Sequence, residues 1–254
     1  MVSLVSTCLF ILGILLGSFY NVVGLRIPIK KSIVAPRSAC PNCHHQLTAI
    51  ELIPVFSYLI QRGKCRVCKT RISPIYPIME LSTGILFATA PLIVGWSGEL
   101  FIALTLISLF IIIFVSDLTY MLIPDKILLV FTGIFLIERF FFPLNPWWDS
   151  ILGAVIGFST LLFIAVISKG GMGGGDIKLF ALVGFVVGMK TLALSFFLAT
   201  LFGAIFGIIG LSFKLLKKGE PIPFGPFIAV GTLIAYYFGS EIINAYLNLL
   251  SSGL

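Results

Sequence analysis

Three aspartates and four cysteines are the residues of this sequence best suited to chemistry. Asp117 lies in the run Phe114-Val115-Ser116-Asp117-Leu118-Thr119-Tyr120, Asp125 follows in Leu122-Ile123-Pro124-Asp125-Lys126, and Asp176 ends Gly173-Gly174-Gly175-Asp176. Acids are scarce, ten in 254 residues, and each of these three borders a long apolar stretch. A carboxylate within a bilayer costs roughly 3 kcal/mol or more unless it faces a polar cavity, so acids so placed carry information. Two carboxyls brought side by side share one proton, because like charges a few ångströms apart resist joint ionisation. One then acts as base on a water while the other donates to a carbonyl oxygen, which is the chemistry of aspartyl peptide hydrolysis. The two histidines, His44 and His45, lie far from these acids in the sequence, which argues against a histidine-based triad.

Cys40-Pro41-Asn42-Cys43 and Cys65-Arg66-Val67-Cys68 are two Cys-x2-Cys knuckles separated by 21 residues. Each short turn presents two thiolates to one side of a metal, and four thiolates close the tetrahedral shell of a structural Zn2+. Two disulfides are the alternative, disfavoured if this loop faces the reducing cytoplasm. His44 and His45 read as surface or supporting groups rather than ligands. Cys8 stands alone in the first apolar segment, as a small packing residue.

The elements that must position these groups are membrane spans. The chain is 59% hydrophobic and 11% charged, with a mean hydropathy of +1.13, whereas soluble domains carry roughly 25% charged residues. Apolar segments near the length of a bilayer crossing predict eight helices, over 4–25, 78–94, 100–116, 127–142, 151–167, 177–189, 191–213 and 226–250. The sixth is short and either tilts or begins inside the preceding glycines. The first has its positive charges, Arg26, Lys30 and Lys31, after it rather than before, and reads as an anchor. With both termini outside, only Arg139 and Lys190 among seventeen lysines and arginines fall on the outer side; Lys169, Lys178 and Lys218 are among those inside. The distribution obeys the positive-inside rule. The net charge of +7 therefore reads as topology and attraction to the lipid bilayer, not as nucleic-acid binding. Three domains are expected: the first helix 1–25, a cytoplasmic four-cysteine zinc module 26–77, and a seven-helix membrane domain 78–254.

This topology brings Asp117, Asp125 and Asp176 to the cytoplasmic edge at similar depth. Glycines 173, 174 and 175 allow close approach of another chain to Asp176. Simpler roles compete: Asp125 and Asp176 each precede or open a helix and can cap it. Glu80, at the cytoplasmic start of the second span, sits at headgroup level or serves a site on that side of the membrane. Leu47, Ile50, Leu52, Ile53, Val55, Phe56, Leu59 and Ile60 form a broken apolar patch suited to contact with the membrane surface. Trp96, Trp147 and Trp148 suit the outer interfacial belt.

Taken in order, these segments resemble the type IV prepilin peptidases, membrane aspartyl proteases of the glycine-x-glycine-aspartate class. The resemblance runs through Gly17-Ser18-Phe19-Tyr20-Asn21-Val22-Val23, Arg37-Ser38-Ala39-Cys40-Pro41-Asn42-Cys43-His44, Leu52-Ile53-Pro54 and Arg62-Gly63-Lys64-Cys65-Arg66-Val67-Cys68. It continues in Ile72-Ser73, Tyr76-Pro77, Glu80, Asp117, Ile123-Pro124-Asp125 and Gly171-Met172-Gly173-Gly174-Gly175-Asp176-Ile177-Lys178-Leu179. Gly24-Leu25 departs from the Ile-Tyr expected before the arginine. The resemblance implies that Asp117 and Asp176 are the catalytic pair, with Gly173, Gly174, Gly175, Asp125 and Lys178 in support. It further implies removal of the basic leader from prepilins or pseudopilins, and methylation of the new N-terminus by S-adenosylmethionine, with Glu80 a candidate for leader binding or methyl transfer. On helix-dipole grounds Asp176, at a helix N-terminus, suits the role of base, and Asp117, near a C-terminus, that of acid.

Two readings from other classes remain at this point. An ion-coupled transporter also carries intramembrane acids beside glycine-broken helices, but would place them near mid-membrane. A non-catalytic zinc-bearing scaffold would tolerate loss of Asp117 and Asp176.

Overall fold

The computed structural model describes residues 2–168, 171–214, 217 and 221–252; Lys169 and Lys218, two of the inward-facing charges expected above, lie outside these. Among the described residues the regular structure is helical apart from two isolated bridges, Ala39 with Gln46 and Lys64 with Arg71. The helices are α1 (Val2–Arg26), α2 (Phe56–Ile60), α3 (Ile75–Ile93), α4 (Gly98–Tyr120), α5 (Asp125–Phe141), α6 (Asp149–Ile167), α7 (Gly174–Ser212) and α8 (Gly225–Ser252). Helices satisfy their own backbone groups, which lipid cannot do. Six of them, α1, α3, α4, α6, α7 and α8, are long and apolar enough to cross a membrane. The protein is an all-α polytopic membrane protein.

The count of six differs from the eight segments expected, for two physical reasons. Helix α5 has 17 residues and carries Asp125, Lys126, Glu138 and Arg139 at its ends, yet at 1.5 Å per residue it still extends about 25 Å. Helix α7 spans 39 residues but contains Gly188 at φ 76°, ψ 171°, a conformation that a side chain would strain. The rings of Phe180 and Phe196 lie 5.8 Å apart, whereas sixteen residues of straight helix would separate them by about 24 Å. Helix α7 is therefore a hairpin whose arms, 174–187 and 189–212, match the sixth and seventh expected segments. The first arm begins at Gly174, within the glycine run.

Two side chains hold this turn. The Arg139 guanidinium donates to the Val186 carbonyl, 2.8 Å from Nε, and to the Phe142 carbonyl at 3.1 Å. The Asp149 carboxylate accepts from the Met189 N–H at 3.2 Å, which supplies a partner for an amide that opens the second arm. Helix α6 crosses the hairpin with backbones in contact, since a Cβ on either Gly153 or Gly184 would collide with the other's carbonyl oxygen.

The chain divides into two compact units, Met1–Tyr120 and Met121–Leu254. In the first, α4 forms the core with Leu106, Ile107, Leu109, Phe110 and Ile113 fully or nearly fully buried, and α1 packs on both α3 and α4. Tyr20 and Ser108 hydroxyls meet at 2.7 Å, and the Tyr120 hydroxyl donates to the Leu25 carbonyl at 3.1 Å. A Cβ on Gly24 would lie 2.9 Å from the Ile112 carbonyl oxygen. The glycine found there in place of isoleucine is thus matched to a close α1–α4 crossing. Cys8 is exposed on α1, a surface position rather than the interior packing one expected.

Candidate active site

Asp117 belongs to the first unit and stands in the last turn of α4, 5% exposed, beside the fully buried Ser116. Leu118, Thr119 and Tyr120 beyond it are exposed, so Asp117 is the last buried residue of α4. Asp176 belongs to the second unit and stands in the first turn of α7. Its carboxylate leans back over Gly173: a Cβ at 173 would lie 2.9 Å from Oδ2. At Gly175 a Cβ would meet the Ile123 side chain at 2.8 Å and its carbonyl oxygen at 3.2 Å, whereas Gly174 faces open space. The glycines on either side of 174 thus do separate things. Gly173 leaves room at the acid, and Gly175 seats the helix start against Ile123 in the extended segment before α5.

Asp125 does not cap its helix, contrary to one expectation. Pro124 occupies the N-cap, and the Asp125 carboxylate instead accepts from Lys178 Nζ at 2.8 and 2.9 Å. A charge partner one turn into α7 outcompetes the local backbone. The pair is open to solvent, with side chains 70% and 54% exposed, and exposed pairs contribute about 0–1 kcal/mol. Asp125→Ala is therefore expected to shift the unfolding midpoint in denaturant by less than the equivalent of about 1 kcal/mol. A larger loss, measured in the same detergent, would mean the carboxylate has a further partner.

The four cysteines of the knuckles converge, their sulfurs all within 4.8 Å of one another. Cys40 and Cys68 sulfurs are 3.7 Å apart, and Cys43 and Cys65 sulfurs 3.9 Å, far beyond a disulfide bond. The two knuckles are built alike. Cys40 N–H donates to the His45 carbonyl and Cys65 N–H to the Thr70 carbonyl, while His44 and Lys69 each follow the second cysteine at positive φ. The Thr70 hydroxyl, 3.3 Å from the Cys68 sulfur, together with the Thr70 backbone N–H holds that thiol down at about 5. The set can hold one metal ion. His45 stays outside it and bonds through Nε2 to Glu51 Oε2 at 3.1 Å.

Glu80 is shielded from solvent. It is 7% exposed, and its Oε2 accepts from the Val55 N–H at 2.7 Å, which ties the loop before α2 to the first turns of α3. Ile50 on that loop, and Phe56, Leu59 and Ile60 in α2 itself, are 62–77% exposed. Asn21, 2% exposed, and Glu51, 8% exposed, are buried polar residues that neither the aspartate nor the cysteine spacing singles out. The signal was present, since each interrupts an apolar run that would otherwise be continuous. The Thr48 backbone N–H, above all, with the Thr48 hydroxyl and His45, holds the Glu51 carboxyl down at about 2 against the effect of burial.

Residues 11–94 match the Bacterial Peptidase A24 N-terminal domain, and residues 104–208 match the Type IV leader peptidase family. A protein of Bacillus subtilis named prepilin leader peptidase/N-methyltransferase is 49% identical over 241 residues, covering 95% of this chain and 97% of its own. Proteins of the same name from Stutzerimonas stutzeri and Pseudomonas aeruginosa are 34% and 35% identical over 268 residues, each covering 94% of this chain and 93% and 92% of their own. No solved structure matches the chain. Similarity of this extent, along nearly the full length and through both the cysteine knuckles and the aspartate-bearing helices, means that the chain belongs to the type IV prepilin leader peptidase family.

Proposed function

We propose that this protein is a prepilin leader peptidase and N-methyltransferase, which cleaves the basic leader of prepilins or pseudopilins and methylates the new N-terminus with S-adenosylmethionine. The observation that carries the reading is the 49% identity to a relative of that name over 95% of the chain. Asp117 and Asp176 form the catalytic pair. Asp176 takes a proton from water as the oxygen attacks the scissile carbonyl; Asp117 donates to the carbonyl oxygen, and the proton then passes to the leaving amine as the C–N bond breaks. Their positions at helix ends support this over an ion-coupled transporter, whose acids belong near mid-membrane.

The cysteine cluster takes Zn2+ as a structural ion. Thiolates 2.3 Å from one tetrahedral zinc stand about 3.8 Å apart, which the sulfur spacings of 3.7 and 3.9 Å meet. A closed four-thiolate shell has no open position for catalysis. The chain acts in the inner membrane, with both termini outside and the active site and zinc module on the cytoplasmic side. Its working division is an anchoring helix 1–25, the zinc module 26–77 and the protease domain 78–254. The test is to incubate the purified protein with a prepilin and S-adenosylmethionine and weigh the product. Loss of the leader with gain of one methyl group is expected, and a prepilin of unchanged mass would reject the reading.

A further inference from the structure

A cavity of about 480 Å³ opens within the first unit, bounded by the cysteine knuckles, the loop before α2, and helices α1 and α3. That volume is in the range of small-molecule sites. Its wall carries Asn21, Glu51, Tyr58, Tyr76, Glu80 and Arg26. Asn21 uses Nδ2 to donate to the Tyr76 carbonyl at 3.2 Å, while its buried Oδ1 receives no hydrogen bond. Glu51 gathers the bonds from Thr48 and His45 on Oε2 alone, and its buried Oε1 likewise receives none. Glu80 adds a second carboxylate, fixed by the Val55 N–H at 2.7 Å.

Buried acceptors without donors are rare in folded proteins and call for a missing partner. The partner this wall asks for is specific in kind. Two carboxylates and an amide oxygen call for positive charge and hydrogen-bond donors, and tyrosine faces attract cations. Arg26 and Arg71, also on the wall, suit a carboxylate elsewhere on the same molecule. S-adenosylmethionine carries a sulfonium, an ammonium, a ribose diol, an exocyclic amine and one carboxylate, and so meets every group. Resting on the methyltransferase reading, we propose that this cavity is the S-adenosylmethionine site, with Asn21, Glu51 and Glu80 as the acceptors that hold the methyl donor. In the transfer itself the neutral amine of the cleaved pilin attacks the methyl carbon, the carbon–sulfur bond breaks to leave a neutral thioether, and the amine gives up a proton to solvent.

The test uses the full chain in detergent micelles. S-adenosylhomocysteine is titrated by calorimetry into wild type, Asn21→Leu, Glu51→Gln and Asp117→Asn, with metal content and melting temperature confirming that each variant is folded. At least tenfold weaker binding is expected for the first two variants and wild-type affinity for Asp117→Asn. Ultraviolet cross-linking of methyl-labelled S-adenosylmethionine should mark peptides within 18–26 and 51–80. Labelling confined to Met121–Leu254, or a basic leader peptide cross-linking to 51–80 where the donor does not, would overturn the site. If wild type methylates a cleaved prepilin and binds the homocysteine but both cavity variants bind it equally well, the site is wrong and the function stands. If wild type neither methylates nor binds, the methyltransferase reading itself fails.

Discussion

Asp117→Ala and Asp176→Ala are each expected to lower the single-turnover rate of leader cleavage by about 10³-fold or more, because acid–base groups contribute 10²–10⁴ and neither half of a shared-proton pair works alone. Asp117→Asn and Asp176→Asn should fare no better, since an amide preserves shape while supplying neither the base nor the acid. The double variant should be no slower than either single one, as groups acting as a unit are strongly non-additive. Methylation of a pilin supplied already cleaved should survive in all of them, because the proposed donor cavity contains neither aspartate. Cleavage retained within tenfold in either alanine variant, followed by gel shift of a prepilin, would remove that aspartate from the mechanism. A fully additive double variant would indicate that the two acids work on separate steps.

Removing the metal is expected to have the second largest effect. The segment between α1 and α3 holds only a 3-10 turn at Ile50–Leu52, the five-residue α2 and two isolated bridges. A piece of chain this short cannot bury enough apolar surface to stay folded alone, so the cross-link through four sulfurs carries much of its order. Treatment with a strong chelator, or Cys40→Ser, should take metal content from one zinc per chain to near zero. Trypsin cleavage within 26–77, a stretch rich in lysine and arginine, should then accelerate by at least about tenfold as protected backbone opens. Since Cys40 and Cys65 also wall the cavity, binding of S-adenosylhomocysteine should be lost with the metal and return when zinc is added back. Purified protein that contains no metal yet resists trypsin as well as the zinc-bound form would overturn the structural role.

Much of this was legible locally. The Cys-x2-Cys knuckles depend on turns of a few residues, so spacing alone was enough to identify them, and the membrane class follows from composition. Asp117 and Asp176 stand out because an acid beside an apolar span is costly wherever the span packs. The break between the sixth and seventh segments is legible at Lys190, the charge between 177–189 and 191–213, although the turn itself falls two residues earlier, at Gly188.

What the chain could not reveal about itself depends on partners far away in sequence. Asp125 follows the local rule for a helix cap, yet its carboxylate pairs with Lys178, 53 residues further on. Glu80 opens a span where the sequence suggests only a headgroup-level acid or a binding group, yet its burial and its bond from the Val55 N–H, 25 residues earlier, depend on how that loop folds back. Arg139 and Asp149 gain their roles only because α7 folds back at Gly188 and leaves a carbonyl and an amide to satisfy. Asn21 and Glu51 gain theirs from a cavity assembled by segments between residues 18 and 80. Composition and short-range spacing determine which groups exist and which elements carry them; which of their oxygens remain without a donor is decided only when distant segments pack, because hydrogen bonding is settled by proximity in space.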